Sequence, residues 1–276
     1  MTSSNGWIRR KVLLAGISIF LFVHPSCYAD PLRIGVAANF RSTLERIASG
    51  FELEHHTKVE ISAASTGALF AQVKNGAPFD ILFTADSHRP ALLESGGHTR
   101  LRRTYAYGQL VFWTPGQPAN KAAFTQYTGT MAIANPRHAP YGKAATDTLT
   151  RLQVKPSRLV YGTNIAQAFN FVKTGNAPAG LVALSLIRQL EVPAIEVWVV
   201  PPESYAPIEQ QLVVLKDASS TAELFVAYVF SHVTTQLIEK SGYLVADASY
   251  PLSEGEVTGT GTGTGTGTIT RIGTDR

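Results

Sequence analysis

The chain has one cysteine, Cys27, among 276 residues. A single thiol forms no intramolecular disulfide and no cysteine-rich zinc site. Charge is also scarce: Asp, Glu, Lys and Arg make up 16%, against roughly 25% in an average soluble domain. Val12 to Val23 is the most apolar run, and it is shorter than the roughly 20 residues a spanning helix needs. There is no Gly-x-Ser-x-Gly elbow and no His-Glu-x-x-His helix. His88, His98 and His138 stand at no ligand spacing. The adjacent His55 and His56 read as solvated residues at a helix end. No metal ligand, cofactor or catalytic residue is expected from these patterns.

What is present is a core. Apolar residues make up 45%, which excludes a mostly disordered chain. The length fits two ordinary domains or one large one. The balance of 24 Lys+Arg against 20 Asp+Glu gives a net charge of +4, and part of that excess sits at the front. Arg9, Arg10 and Lys11 precede the uncharged run, and Cys27 and Ala29 supply small residues after it. This is the layout of a cleaved export signal over residues 1–29, with the cut after Ala29. His24 stands where a lipid-attachment motif would want leucine. Removing the three front cations from the 24 leaves 21 basic against 20 acidic side chains, and no thiol. That balance does not call for nucleic acid, and a thiol-free chain suits an oxidising compartment. At the other end, Thr258 to Thr268 is a pure Thr-Gly alternation. It offers no apolar face, so residues 252–276 read as a disordered tail.

Between these ends, strands alternate with helices. Leu32–Ala37, Val59–Ala63, Phe79–Phe83, Gln109–Trp113, Thr130–Ala134, Leu159–Tyr161, Gly180–Leu184, Val197–Val200 and Gln211–Leu215 read as strands. Phe40–Phe51 shows one apolar helical face through Leu44, Ile47, Ala48 and Phe51. Further helices are expected before Asn75-Gly76, from Tyr141, from Ile165 to Val172, and as one long helix over Ala222–Ile238. Arg100, Arg102 and Arg103 read as a charged loop before a strand. The alternation predicts an α/β protein with mostly parallel sheets. The two halves echo each other: Val-Lys-x-Gly, then Ala-Pro, then a buried strand occurs at Val73–Phe83 and again at Val172–Leu184.

Four helices start directly after strands, at Ala38-Asn39-Phe40, Ser65-Thr66-Gly67, Pro140-Tyr141-Gly142 and Asn164-Ile165-Ala166. Helix starts carry unpaired N–H groups and the positive dipole end, so they bind anions without charged side chains. In open α/β sheets, ligands lie beyond the carboxyl ends of strands. Ser, Thr and Asn are also ordinary N-caps, so each start taken singly is explained by capping.

The runs VAANFRSTLERIASGFE, SAASTGALFAQVKNGAPFDILFTAD, ANPRHAPYGKAATDTL and YGTNIAQAF resemble periplasmic molybdate-binding proteins of bacterial ABC importers. The resemblance extends in order from about residue 31 to 245. It implies a two-lobed type II binding-protein fold with a two-strand hinge near Tyr107–Trp113 and Gln210–Leu215. Residues 30–109 with 211–251 would form one lobe, and 110–210 the other. It implies a tetrahedral molybdate or tungstate held by neutral donors: Asn39 by side chain or N–H, Thr66 by hydroxyl and N–H, and Tyr141 and Ile165 by N–H. Ala38 would add only its N–H. A tyrosine donor that another branch carries after the later Gly-x-Val strand is absent here, where the run is Gly180-Leu181-Val182-Ala183. The implied protein is a periplasmic monomer that delivers its ligand to a membrane permease with its ATPase. The competing expectations are a receptor for sulfate or another oxyanion, and a hydrolase using Asp80 and Asp86 as a carboxylate pair.

Overall fold

A computed structural model describes residues 30–245. The expected export signal and Thr-Gly tail lie outside the described residues. Along the chain run β1 (Leu32–Ala37), α1 (Arg41–His55), β2 (Val59–Ala64), α2 (Thr66–Lys74), β3 (Ile81–Thr84), α3 (His88–Ser95) and β4 (Thr99–Gly108). Next come β5 (Leu110–Trp113), α4 (Lys121–Thr125), β6 (Thr130–Ala134), α5 (Pro140–Arg151), β7 (Arg158–Gly162), α6 (Ile165–Lys173), β8 (Ala179–Ala183), α7 (Leu184–Ile187) and β9 (Val197–Val199). β10 (Ile208–Leu215), α8 (Thr221–Val229), α9 (His232–Lys240) and β11 (Leu244–Val245) complete the described chain.

The strands form two sheets, ordered β11-β4-β10-β3-β1-β2 and β7-β6-β8-β5-β9. β1 runs parallel to β2 and β3, and β6 runs parallel to β7 and β8. The sheet orders therefore match, with β2-β1-β3 corresponding to β7-β6-β8. α2 and α6 occupy matching places in that scheme, each nine residues long with a polar N-cap. Both are followed by a glycine in the left-handed region, Gly76 at φ 82° and Gly175 at φ 74°. The echo seen in the sequence is thus an echo of topology. It puts the carboxyl ends of β1, β2, β6 and β7, and the four helix starts that follow them, on the ligand side of an open sheet.

The sheets are mixed rather than mostly parallel. β10 runs antiparallel to both β3 and β4, and β5 runs antiparallel to both β8 and β9. These are the strands next to the chain crossings. One crossing joins β4 to β5 at Gln109, and the other joins β9 to β10. Ile208, at the start of β10, pairs with Gly108 at the end of β4.

Other expectations are corrected. Arg100, Arg102 and Arg103 lie within β4, not in a loop. Their charge is accommodated outside the core: Arg102 meets Glu94, Arg103 covers the Phe230 ring at 3.8 Å, and Arg100 donates to the Ala218 carbonyl. The long helix expected over Ala222–Ile238 is two helices. Ser231 caps α9 by accepting from the Thr234 N–H, so the backbone breaks at Phe230–Ser231. A Ser side chain bonded to backbone competes with helix continuation.

β1 and β6 sit mid-sheet and are buried along almost their whole length, as the continuous apolar runs of parallel strands require. α1 buries Leu44, Ile47, Ala48 and Phe51 against the first sheet. The core of the second half also takes in Ala37, Ala38 and Ala85 from the first, so the two halves meet through small apolar residues.

Gly142, on the first turn of α5, fixes how closely that helix approaches β6. A Cβ there would lie 2.3 Å from the Ala134 carbonyl oxygen. Gly→Ala inside a helix ordinarily gains about 0.5–1 kcal/mol. Here the added atom meets rigid backbone, and overpacking of that kind costs about 1–3 kcal/mol. Gly142→Ala is therefore expected to destabilise the fold, lowering the melting temperature by roughly 2–4 °C per kcal/mol lost. A melt at or above the wild-type value would show that α5 is not pinned there.

Candidate functional site

Asn39, Thr66, Tyr141 and Ile165 come together. They line one small cavity with Ala38, Ser65 and Asn164. All four are buried, at 1%, 1%, 1% and 3% exposure. Their backbone N–H groups meet no acceptor among the described residues. Thr66 and Ile165 open α2 and α6, and Tyr141 is the second residue of α5. Asn39 lies in the turn between β1 and α1. Helix starts leave these donors free, and the matching sheet orders aim them at one point. Among the described residues, the lining has no Asp, Glu, Lys, Arg or His. A cavity of neutral, convergent N–H donors suits a fully ionised oxyanion, which needs donors only.

The individual donors differ from the expectation in two places. The Asn39 side chain is occupied: its Nδ2 donates to Gln210 Oε1 at 2.8 Å and to the Tyr243 hydroxyl at 3.0 Å. Only the Asn39 N–H remains for a ligand. Its carbonyl accepts from Ser185 Oγ and from Tyr243 Oη, so the turn is held from both faces. The Ala38 N–H is also unavailable. It donates to Ala64 O at 2.9 Å, extending the β1–β2 ladder one step past the last strand pair. Thr66 keeps its hydroxyl donor. Thr66 Oγ1 accepts from the Ala85 N–H at 3.0 Å, which leaves its own proton to donate.

Two glycines in the helix starts admit neighbouring backbone. Gly142 faces Ala134, as described. Gly67 faces the loop before α5, where its N–H donates to His138 O at 2.9 Å.

Tyr141 and Tyr243 are buried beside the cavity with Tyr105. Burial raises all three phenols, and their mutual repulsion raises Tyr105 and Tyr141 further. They remain neutral. The Tyr243 hydroxyl bonds to Asn39, while the Tyr105 and Tyr141 hydroxyls meet no partner among the described residues and act in packing.

The carboxylates proposed for hydrolysis do not converge. Asp80 precedes β3 and accepts from the Arg33 and Ser219 N–H groups. Asp86 follows β3 and pairs with Arg89. The four residues of β3 lie between them, and each carboxylate is engaged by different partners. His55 packs on the Phe51 ring at 4.4 Å, and Trp113 stacks on Phe169 at 5.2 Å.

Gln210, Ser185 and Tyr243, which fix the Asn39 turn, were not found from the sequence. They lie 171, 146 and 204 positions from Asn39, so no local pattern announces them.

Residues 32–244 match the family model of bacterial extracellular solute-binding proteins. The molybdate-binding protein ModA of Azotobacter vinelandii is 38% identical over 227 residues, which is 78% of this chain and 90% of that one. ModA of Rhodobacter capsulatus is 33% identical, over 76% of this chain and 86% of that one. Among solved structures, the periplasmic molybdate-binding protein of Azotobacter vinelandii aligns with a TM-score of 0.73 and 33% identity. That alignment covers 78% of this chain and 100% of the other. A family match across most of the chain accords with the helix-start cavity, and the chain belongs to the bacterial extracellular solute-binding proteins.

Proposed function

We propose that the chain is a periplasmic receptor that binds molybdate, and tungstate with it, between its two halves and delivers it to the permease of an ABC importer. The carrying observation is the convergence of the Asn39, Thr66, Tyr141 and Ile165 N–H groups on one cavity free of charged side chains. The names of the relatives support the choice of ion. Residues 1–29 act as the export signal. Residues 30–109 with 211–251, and 110–210, act as lobes that close on the ligand, with the two crossings as the hinge.

The energetics suit a scavenger. A donor to an ionised group contributes about 1.5–3 kcal/mol. Four N–H groups and the Thr66 hydroxyl then supply roughly 8–15 kcal/mol, which brackets the 12 kcal/mol or so of a nanomolar Kd. No buried counter-charge has to be desolvated. Molybdate and tungstate present the same charge and nearly the same radius, so this cage holds both. Sulfate presents the same charge in a smaller tetrahedron, so selection against it would rest on how closely the lobes can close, which the titration below tests.

Isothermal titration with molybdate, tungstate, sulfate and phosphate tests the reading. Heat with the first two and little with sulfate is expected, and binding of sulfate alone would sink the choice of ion. Thr66→Val is expected to weaken molybdate by roughly 10- to 100-fold, since it removes a donor to an anion. It also orphans the Ala85 N–H, so Thr66→Ser, which keeps the hydroxyl, is the control. Equal affinities for the Val and Ser variants would remove the Thr66 hydroxyl from the site.

A further inference from the structure

Two hydrogen bonds join the halves beside the cavity, next to the lining residues Thr66 and Ala139, and neither uses a cavity donor assigned above. The Gly67 N–H donates to His138 O at 2.9 Å. Arg89 Nη2 donates to Arg137 O at 3.2 Å. Both acceptors, Arg137 and His138, lie in the short loop between β6 and α5, just before the α5 N-cap Ala139. Both donors belong to the first half, on α2 beside Thr66 and on α3. The three parts meet closely. A Cβ on Gly67 would stand 3.0 Å from both Cα and O of His138, and 3.3 Å from Arg89 Nη2. Glycine at 67 is what lets the start of α2 and the opposing loop touch.

Arg89 is held in place from behind. Asp86 Oδ1 accepts from the Arg89 N–H at 2.9 Å, and Asp86 Oδ2 accepts from Arg89 Nη1. The two side chains are only 24% and 18% exposed. The planar guanidinium reaches Asp86 with one nitrogen and the opposing carbonyl with another, a geometry an ammonium does not reproduce. Asp86 cancels the charge, and Arg89 is not among the residues lining the oxyanion cavity. The pair is thus poorly placed to attract or hold the anion directly.

We propose that Arg89, oriented by Asp86, is a clasp: it fastens the Arg137–His138 loop beside the cavity and sets how long a bound oxyanion is retained. The inference rests on the reading that an oxyanion occupies the cavity. Both cross-bonds exist only while the halves are together. They stabilise the closed state relative to the open one, and the ligand leaves only after they break. A bond from a charged donor is worth about a factor of ten in such an equilibrium. The clasp therefore acts on departure rather than arrival.

The test is loss of preloaded radiolabelled molybdate on dilution into excess unlabelled molybdate, with Kd measured in parallel. Arg89→Gln is expected to speed loss about 10-fold while the association rate, from the ratio of loss rate to Kd, changes less than about 3-fold. Arg89→Lys separates the clasp from charge steering. Lysine keeps the charge but lacks the fork, so it should release nearly as fast as Arg89→Gln. Asp86→Asn should also speed release, and the Arg89→Gln/Asp86→Asn double variant should be no faster than Arg89→Gln, because the two act as one unit. An unchanged loss rate in Arg89→Gln overturns the clasp. So does a defect confined to association and restored by lysine. A wild-type chain that retains no oxyanion overturns the ligand reading along with the clasp. A wild-type chain that retains molybdate, with variants that release it normally, overturns the clasp alone.

Discussion

Asn164→Asp is expected to abolish oxyanion binding while leaving the fold as stable as before. Asn164 caps α6: its Oδ1 accepts from the Gln167 N–H at 3.0 Å, and Gln167 in turn accepts from the Thr163 N–H. A carboxylate of the same shape keeps that acceptor. At the positive end of a helix dipole the added charge contributes about 0.3–1 kcal/mol of stability. The melting temperature should therefore hold or rise. Binding should behave oppositely, because Asn164 also lines the cavity. Unit charges 5 Å apart at an effective dielectric of 20 repel by about 3 kcal/mol, and a dianion doubles that. The expected loss of affinity exceeds roughly 1,000-fold. Salt should recover little of it, since a buried pair is weakly screened. Asn164→Ser keeps a cap without the charge and should bind within about 10-fold of wild type. Titration calorimetry and a thermal melt on the same samples give both readouts. An aspartate variant that binds near the wild-type Kd would mean that the anion is not beside the start of α6, and the four-helix cage would have to be redrawn.

The pairing of good folding with lost binding follows from how the site is built. Each half supplies two helix starts by the same strand order, so the donors are consequences of topology rather than of special side chains. This is why the four helix starts that hold Asn39, Thr66, Tyr141 and Ile165 were legible in the sequence. Each follows a strand at the point where a helical period begins, and β1 and β6 announce themselves by continuous burial. What the local pattern could not show is where long-range partners draw a side chain. The Asn39 amide looks like a donor for a ligand until Gln210 and Tyr243 arrive from the far end of the chain to claim it. The Ala38 N–H looks free until β2 comes alongside. β4 was illegible for another reason. Its arginines are satisfied by Glu94, Phe230 and Ala218 from three other segments, so neither apolar period nor alternation marks it as a strand. Arg89 and Asp86 are similar. Their i, i+3 bond is local, but the Arg137 carbonyl that makes it a link between halves is 48 residues away.

Alkaline pH is expected to unfold the protein steeply, with binding unaffected until it does. Tyr105, Tyr141 and Tyr243 are buried to 2%, 1% and 3% exposure. Burial, then repulsion from neighbouring phenolates, pushes the Tyr105 and Tyr141 phenols well above their ordinary value, and burial pushes Tyr243 the same way against its bonds to Ser185 and Asn39. In the unfolded chain they ionise near pH 10. Above that pH the unfolded state has lost protons that the folded state keeps, so stability falls as pH rises. Below it both states are protonated and the contribution is fully present. Each group adds up to 1.36 kcal/mol per pH unit, so the three together give a slope of about 4 kcal/mol per unit above pH 10. Urea midpoints should be flat on this account from about pH 7 to 9 and then drop. Tyr105→Phe should reduce the slope by about a third. It should cost little near pH 7, because the Tyr105 hydroxyl has no hydrogen-bond partner among the described residues. Affinity for a dianion should also be flat over pH 7 to 9. Among the described residues, Tyr141 is the only titratable residue lining the cavity, and its phenol stays protonated there. A fall in affinity across that range, in a chain still fully folded, would mean that a titrating side chain reaches the anion and that the cage is not neutral.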